Sequence, residues 1–213
     1  GLRVIMAIIP FVFMACVPYW LFTESRSPNL VAAIGPFMLF RKKVYQAFGG
    51  HEAVRRDIVD DVFIARWVKR VGGRVALVEG ASILRVEFYQ SFAEAWHGLA
   101  KSAFAAFDYS LIGFVLTIAV LGTALLGPYV AVYEALRLGW MDWSHLGLPL
   151  VQILLVCGAM GAIHERFSVP KRYGLLMALT VIVAILFAMD SVAHSLFGPG
   201  TVWKGRAYQF RGR

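Results

Sequence analysis

Two adjacent acids, Asp60 and Asp61, stand at the start of a predicted helix in the stretch RRDIVDDVFIARWVKRVGG, residues 55–73. A carboxylate acts as a general base when it lies within hydrogen-bond distance of a hydroxyl proton. Two neighbouring carboxylates repel each other, which tends to raise the pKa of one of them. Acids at a helix N-terminus also have a structural explanation, because they satisfy free amides and interact favourably with the helix dipole. The pair therefore indicates either a proton acceptor or a helix cap.

The elements around the pair are predicted to alternate between strand and helix. Helices are expected at 41–48 and 60–71, because each stretch is followed by a glycine pair, a common helix stop. Short apolar runs bounded by polar or glycine residues predict strands at 31–40, 74–80 and 82–88.

A further helix is predicted at 91–106, directly before the first long apolar run. Ser91 and Glu94 have the spacing of a capping box at its start. Its apolar residues recur on one face, so we expect this amphipathic helix to lie along the membrane. On the predicted helix 60–71, Arg66 and Lys69 are expected to form a solvated face.

The composition indicates an integral membrane protein. Of the 213 residues, 59% are hydrophobic and 16% are charged, whereas soluble proteins are about 45–50% apolar and about 25% charged. A bilayer core requires roughly 20 apolar residues per helix. Three runs meet that requirement and predict transmembrane helices at about 109–133, 146–163 and 173–197.

The remaining parts of the chain are described by their composition. Residues 1–23 are apolar but contain two prolines, which favours an interfacial segment over a membrane span. Residues 107–199 form the predicted membrane region, and residues 200–213 form a basic tail.

The net charge of +8 is explained by anionic lipid headgroups, and nucleic acid is not expected as a partner. Basic residues after the second run favour a cytoplasmic placement of the segment 24–106.

The stretches FRKKVYQAFGGHE and VDDVFIARWVKRVGGRVALVEG resemble the acceptor-side half of family 2 glycosyltransferases, which have the GT-A fold. The chain is most similar to membrane enzymes of that family, the hydroxychlorobactene and other carotenoid glucosyltransferases and the ceramide glucosyltransferase-like group. The resemblance extends to the helix SFAEAWHGLAKSAF, the C-terminal membrane helices and the tail WKGRAY. It implies an α/β fold, the acceptor-side half of a GT-A domain at 24–106, followed by an all-α membrane region.

The resemblance also implies roles for individual residues. The second acid of the family's acidic pair is the general base, and it corresponds to Asp61; Asp60, in place of the usual Glu, is the supporting acid. Gly49, Gly50 and His51 correspond to the loop beside the acceptor pocket.

Three further positions have two explanations each. Trp96 either forms a wall of the acceptor site or faces the membrane. In the tail, Lys204 and Arg206 either contact diphosphate or headgroups or anchor the chain at the membrane edge.

Asp190 and His194 are four residues apart on the third apolar run and therefore share one helix face. Ionisable groups inside a bilayer are functional candidates. Both residues lie near the end of the run, however, where hydration is inexpensive.

Cys16 and Cys157 lie inside apolar runs and are expected to be inert.

The implied donor-binding half carries an Asp-x-Asp motif for Mg²⁺ or Mn²⁺. The aspartates of this chain are at 57, 60, 61, 108, 142 and 190, so it contains no such motif. We therefore expect no metal ligand in this segment, a donor half before Gly1, and no activity of the segment alone.

The predicted function is transfer of a hexose, glucose from UDP-glucose, to a hydroxyl of a lipid by inverting displacement, at a bacterial inner membrane. One alternative is a non-catalytic membrane scaffold or transporter subunit. A second alternative is a processive polysaccharide synthase, which Phe92 and Ala95 disfavour because they replace the Gln and Arg of the Q-x-x-R-W motif.

Overall fold

A computed structural model provides the fold. The structure describes residues 2, 6, 9, 11, 19–55, 57, 59–80, 82–197, 201–203 and 206–208, with the backbone alone for residue 19 and for the last two ranges. Most of the predicted interfacial segment 1–23 lies outside the described residues. Its last described part belongs to helix α1, Tyr19–Glu24.

A short helix, a 3-10 turn and a longer helix follow α1, and the longer helix carries the acidic pair. Helix α2 is Lys42–Ala47, a 3-10 turn is Gly50–Val54, and helix α3 is Asp60–Arg70. Their apolar faces meet in one small core made of Phe48, Val54, Ile64 and Val68. The glycine pairs end α2 and α3 as predicted.

Helix α4, Phe92–Ala103, confirms the predicted helix before the membrane region, and a 3-10 turn continues it at Ala105–Phe107. The hydroxyl of Ser91 accepts the Glu94 amide at 3.1 Å, as expected for a capping box. In a capping box the Glu94 carboxylate would accept the amide of Ser91. Here it accepts the amide of the preceding residue, Gln90, at 2.8 Å.

Three helices among the described residues are long and apolar enough to cross a membrane, with mean hydropathies of 2.1, 2.1 and 2.4. Helix α5 is Leu111–Leu138, and α6, Leu148–Arg166, continues a π-helical turn at Trp143–Gly147. Helix α7, Met177–Phe197, continues a 3-10 turn at Lys171–Leu176. These helices cover the three apolar runs and indicate a membrane protein. The division into domains stays a prediction.

The membrane helices share two apolar clusters. One contains Leu125 of α5, Cys157 and Met160 of α6, and Met177 and Val181 of α7. The other joins Phe104, next to the end of α4, to Phe114 of α5 and Ala188 of α7. The second cluster attaches the amphipathic helix to the membrane bundle.

The predicted α/β fold is wrong. Residues 38–40, 73–80 and 84–89 run as irregular chain, as do 31–34. Within the described residues, strand pairing is confined to the tail, where β1, Thr201–Trp203, pairs antiparallel with β2, Arg206–Tyr208.

The physical reason is that a strand needs hydrogen-bond partners on a second strand. An apolar run satisfies only the local condition for a strand. Val78 and Ile83, two apolar residues of the predicted strands, are 82% and 81% exposed instead of packed on a sheet face. Within the stretch 73–80, Glu79 instead accepts a hydrogen bond at its Oε2 from Arg166 Nε of α6, at 2.5 Å.

Candidate active site

Asp60 and Asp61 occupy the first two positions of α3, and Val59 precedes them as the N-cap residue without a side-chain cap. Oδ1 of Asp60 accepts the amide of Asp61 at 3.1 Å. Asp60 therefore acts locally, as an exposed acid that satisfies a free amide of the first turn.

Asp61 also has a partner far away in the sequence. Its Oδ1 accepts the amide of Val62 at 2.8 Å, and its Oδ2 accepts the amide of Gly35 at 2.8 Å. Each carboxylate oxygen accepts more than one hydrogen bond, so both oxygens retain capacity for a substrate hydroxyl. The helix-cap explanation accounts for the first contact but not for the second.

Gly35 approaches Asp61 closely. A Cβ atom built on Gly35 would lie 3.3 Å from Asp61 Oδ2, tighter than most side-chain contacts. The absence of a side chain at this position lets the backbone amide reach the carboxylate.

The pKa of Asp61 is raised above its ordinary value. Burial is the largest cause, and the charge of Asp60 adds to it, while the hydrogen bonds from Val62 and Gly35 oppose it. A raised pKa makes the carboxylate a stronger base. The site thus combines a fixed orientation with enhanced basicity.

The Gly49–Gly50–His51 loop forms a second small cluster around Tyr45. The Tyr45 hydroxyl lies 2.6 Å from His51 Nδ1 and accepts the His51 amide at 3.1 Å. Gly50 has a φ of +61°, and a Cβ atom on it would lie 2.6 Å from the Tyr45 ring. The hydrogen bonds of His51 therefore go to Tyr45 and not to Asp61, although the Gly50–Val54 turn packs beside α3 in the same core.

Trp96 contacts the membrane bundle. Its indole N–H donates to Asp190 Oδ2 at 2.9 Å, and Oδ1 of Asp190 lies 3.0 Å from His194 Nδ1. The structure thus joins Trp96 to the Asp190–His194 pair, which the sequence suggested independently of it. None of the hydrogen bonds of these three residues goes to Asp61.

The predicted solvated face of α3 is wrong. Arg66 and Lys69 are only 9% and 5% exposed. Lys69 Nζ donates to the carbonyls of Phe22 and Leu30, both at 2.7 Å, and burial lowers the pKa of Lys69. Arg66 pairs with Asp108. The partners of this face, Phe22, Leu30 and Asp108, are distant in sequence, so no local pattern reveals them.

Two candidate residues belong to the basic tail. Lys204 lies outside the described residues, and for Arg206 the structure describes the backbone in β2 alone.

A metal was expected through residues outside this segment. In the part of the chain that the structure describes, no three His, Cys, Asp or Glu side chains cluster to hold a metal ion. No step is therefore assigned to a metal held by these residues.

Three residues of these clusters were missed from the sequence: Gly35, Tyr45 and Asp108. The Gly35–Pro36 interruption of an apolar run was a usable signal for a special backbone position. Tyr45 and Asp108 have no local signal, because their partners are placed by the tertiary structure.

These features define a membrane protein that holds a partly buried, basic carboxylate at the start of a helix outside the apolar spans. The family comparison is more specific. The model of glycosyl transferase family 21 matches residues 12–213, so the chain belongs to that family. This confirms the resemblance to ceramide glucosyltransferase-like membrane glycosyltransferases. No curated protein and no solved structure matches the chain significantly.

Proposed function

We propose that this chain carries the acceptor-side catalytic residues of a hexosyltransferase that transfers glucose from a UDP-sugar to a lipid hydroxyl. Membership of glycosyl transferase family 21 supports glycosyl transfer in general. The choice of a lipid acceptor is supported by three apolar helices adjoining the site-bearing segment, because an apolar substrate enters such a site from the bilayer.

Asp61 is the proposed general base, and the observation that carries the proposal is its environment. Two backbone amides hold the carboxylate, and burial makes it more basic than an ordinary aspartate. The acceptor hydroxyl lies within about 2.6–3.2 Å of a free lone pair of this carboxylate in the reactive complex.

The proposed reaction is a single displacement. The acceptor oxygen forms a bond to the anomeric carbon while the bond from that carbon to the diphosphate oxygen breaks, which inverts the anomeric configuration. The hydroxyl proton passes to Asp61, and the nucleoside diphosphate leaves with the electron pair. Asp60 supports the base by raising its pKa. The Gly49–His51 loop and Trp96 are proposed to line the acceptor side.

The proposed enzyme also needs a donor site, a divalent metal and a location in the cell. Donor recognition and a divalent metal are assigned to residues outside the described clusters, so the segment alone is expected to be inactive. The segment 24–106 is proposed to face the cytoplasm of a bacterial inner membrane. A role of Lys204 and Arg206 in contacting diphosphate or headgroups stays a prediction from the sequence.

The test is Asp61→Asn in the full-length enzyme, with transfer of labelled glucose from UDP-glucose into extractable membrane lipid as the readout. Asparagine keeps the size and accepts a hydrogen bond but is not a base. We expect transfer to fall about 10²–10⁴-fold, the usual contribution of a general base. Asp142→Asn is the matched control, because Asp142 is an exposed acid that caps the turn between the first two spans. Retained transfer by Asp61→Asn in normally assembled protein rejects the base and favours a non-catalytic role for the pair.

A further inference from the structure

We propose that Arg66 and Asp108 form a positioning pair that sets the distance of Asp61 from the membrane bundle. This inference rests on the proposed role of Asp61 as general base. Neither residue is proposed to touch the substrate.

Arg66 lies on the same helix as the base. Arg66 lies five positions after Asp61, which corresponds to about 7.5 Å along the helix axis. Its Nη1 donates to Oδ1 of Asp108, and its guanidinium lies 4.9 Å from the centre of the Phe63 ring. Any movement of Arg66 is therefore transmitted to Asp61 through a single helix.

The burial of Arg66 argues against an incidental surface ion pair. The residue is 9% exposed, and its Nε is buried without a hydrogen-bond partner among the described residues. Its partner Asp108 is half-exposed, with 53% of its side chain accessible. Burying the guanidinium is costly, and an ion pair with a half-exposed partner contributes little stability. The burial of Arg66 is therefore better explained by the geometry it imposes than by the stability of the ion pair.

Asp108 stands at the entrance to the first membrane helix. Asp108 and Tyr109 have φ values of +52° and +59°, an uncommon conformation for residues other than glycine. Such conformations persist when the surrounding structure holds them. Ser110, the next residue, is the N-cap of α5.

The surroundings attach this turn firmly to the bundle. The Phe104 ring packs edge-on against Tyr109 and Phe114, with centroid distances of 5.5 and 5.3 Å. The Phe104 amide donates to Ser191 Oγ of α7 at 3.0 Å in a buried contact. Asp108 is thus fixed to the first and third membrane helices, and through Arg66 it places α3 relative to both.

The functional consequence is that the pair sets the distance between the Asp61 carboxylate and an acceptor hydroxyl that enters from the lipid phase. A displacement of about 1 Å at a catalytic group lowers a rate by as much as 10²-fold. A positioning pair affects turnover without changing the affinity for the donor.

The experiment compares Arg66→Met, Asp108→Gly and the double variant in the full-length enzyme. Glycine adopts the left-handed conformation of residue 108 without strain, so Asp108→Gly removes the acceptor of Arg66 with little backbone change. Glu134→Gln is the matched control, because it removes the exposed Glu134–Arg137 pair on α5.

Two readouts are measured. The first is glucose transfer from UDP-glucose into membrane lipid. The second is the relaxation of a nitroxide at Arg70→Cys, at the end of α3, by nickel-chelating lipids in phosphatidylcholine–phosphatidylglycerol vesicles. Cys16→Ala and Cys157→Ala, together with replacement of any cysteine outside this segment, provide the background for labelling.

We expect each single variant to lower kcat by about ten- to a hundredfold, with the KM for UDP-glucose unchanged, and to alter the nitroxide relaxation. The double variant should be no worse than the more severe single variant. Unchanged relaxation and turnover in Asp108→Gly overturn the inference, as do strictly additive effects. If Arg66→Met fails to assemble, Asp108→Gly decides the question alone.

Asp61→Asn separates the two proposals. It should lower transfer about 10²–10⁴-fold while leaving the nitroxide relaxation as in the parent protein. Retained transfer in Asp61→Asn refutes the general base, whereas unchanged relaxation in the pair variants refutes the positioning role.

Discussion

The indole N–H of Trp96 donates a 2.9 Å hydrogen bond to Asp190, a residue 94 positions further along the chain. The same carboxylate lies 3.0 Å from His194 Nδ1, and the Phe187 ring packs edge-on against the indole with a centroid distance of 6.3 Å. One face of α7 thus holds the amphipathic helix α4 in place. This relationship explains why an acid is tolerated within an otherwise apolar helix.

The Trp96–Asp190 contact predicts a measurable coupling energy. A hydrogen bond to a charged group contributes about 1.5–3 kcal/mol, so Trp96→Phe and Asp190→Ala should each destabilise the protein. Together they should cost less than the sum of the two single effects. Unfolding in mixed detergent–SDS micelles measures the four variants, and Asp190→Asn is the control that retains an acceptor. Additive losses would show that the contact contributes nothing.

The Asp60 charge predicts a shift in the pH profile of transfer. Because this charge helps to raise the pKa of Asp61, Asp60→Asn should lower that pKa. The base then loses its proton at lower pH, so the acid limb of kcat/KM moves towards lower pH. The profile of the purified full-length enzyme tests this. A limb that stays in place or moves upwards contradicts the coupling.

The raised pKa of Asp61 also predicts a pH-dependent stability. The folded protein binds this proton more tightly than the unfolded chain, whose pKa is near the ordinary value of 3.8. Stability from this group is therefore present below that value and is lost as the pH rises through the folded-state pKa.

Asp61→Asn removes this pH dependence. Asparagine accepts from only one of the two amides that Asp61 holds, which lowers its Tm by a similar amount at every pH. The Tm of the variant relative to the parent protein should therefore be higher at pH 7 than at pH 4. Thermal unfolding in detergent at the two pH values measures the effect. An equal difference at both values would assign it to packing instead of ionisation.

The contacts of Lys69, near the end of α3, predict that this side chain stabilises residues 22–30. Its ammonium satisfies the carbonyls of Phe22 and Leu30, so Lys69→Met leaves two acceptors without this donor. We expect a loss of about 1–3 kcal/mol and faster amide exchange in residues 22–30. Lys43→Met, at an exposed position of α2, is the matched control. Unchanged exchange would mean that water replaces the ammonium without cost.

Helices and their ends were predictable from the sequence. The three apolar runs, the Ser91 cap of α4 and the glycine stops of α2 and α3 depend on interactions within about four residues of each other. The position of Asp60 and Asp61 at the start of α3 follows from the same local rules. Membership of a glycosyltransferase family was also recognisable from short motifs in the chain.

The tertiary structure decided the rest. The predicted strands at 31–40, 74–80 and 82–88 are not formed, because strand pairing depends on partners that an apolar run does not specify. Arg66 and Lys69 are buried because distant segments cover a face that looks solvated in a helical projection. The Gly35 amide reaches Asp61, and Asp190 reaches Trp96, only after the chain has folded. Local sequence thus determined which residues form helices, whereas long-range packing determined which polar groups meet and which carboxylate becomes basic.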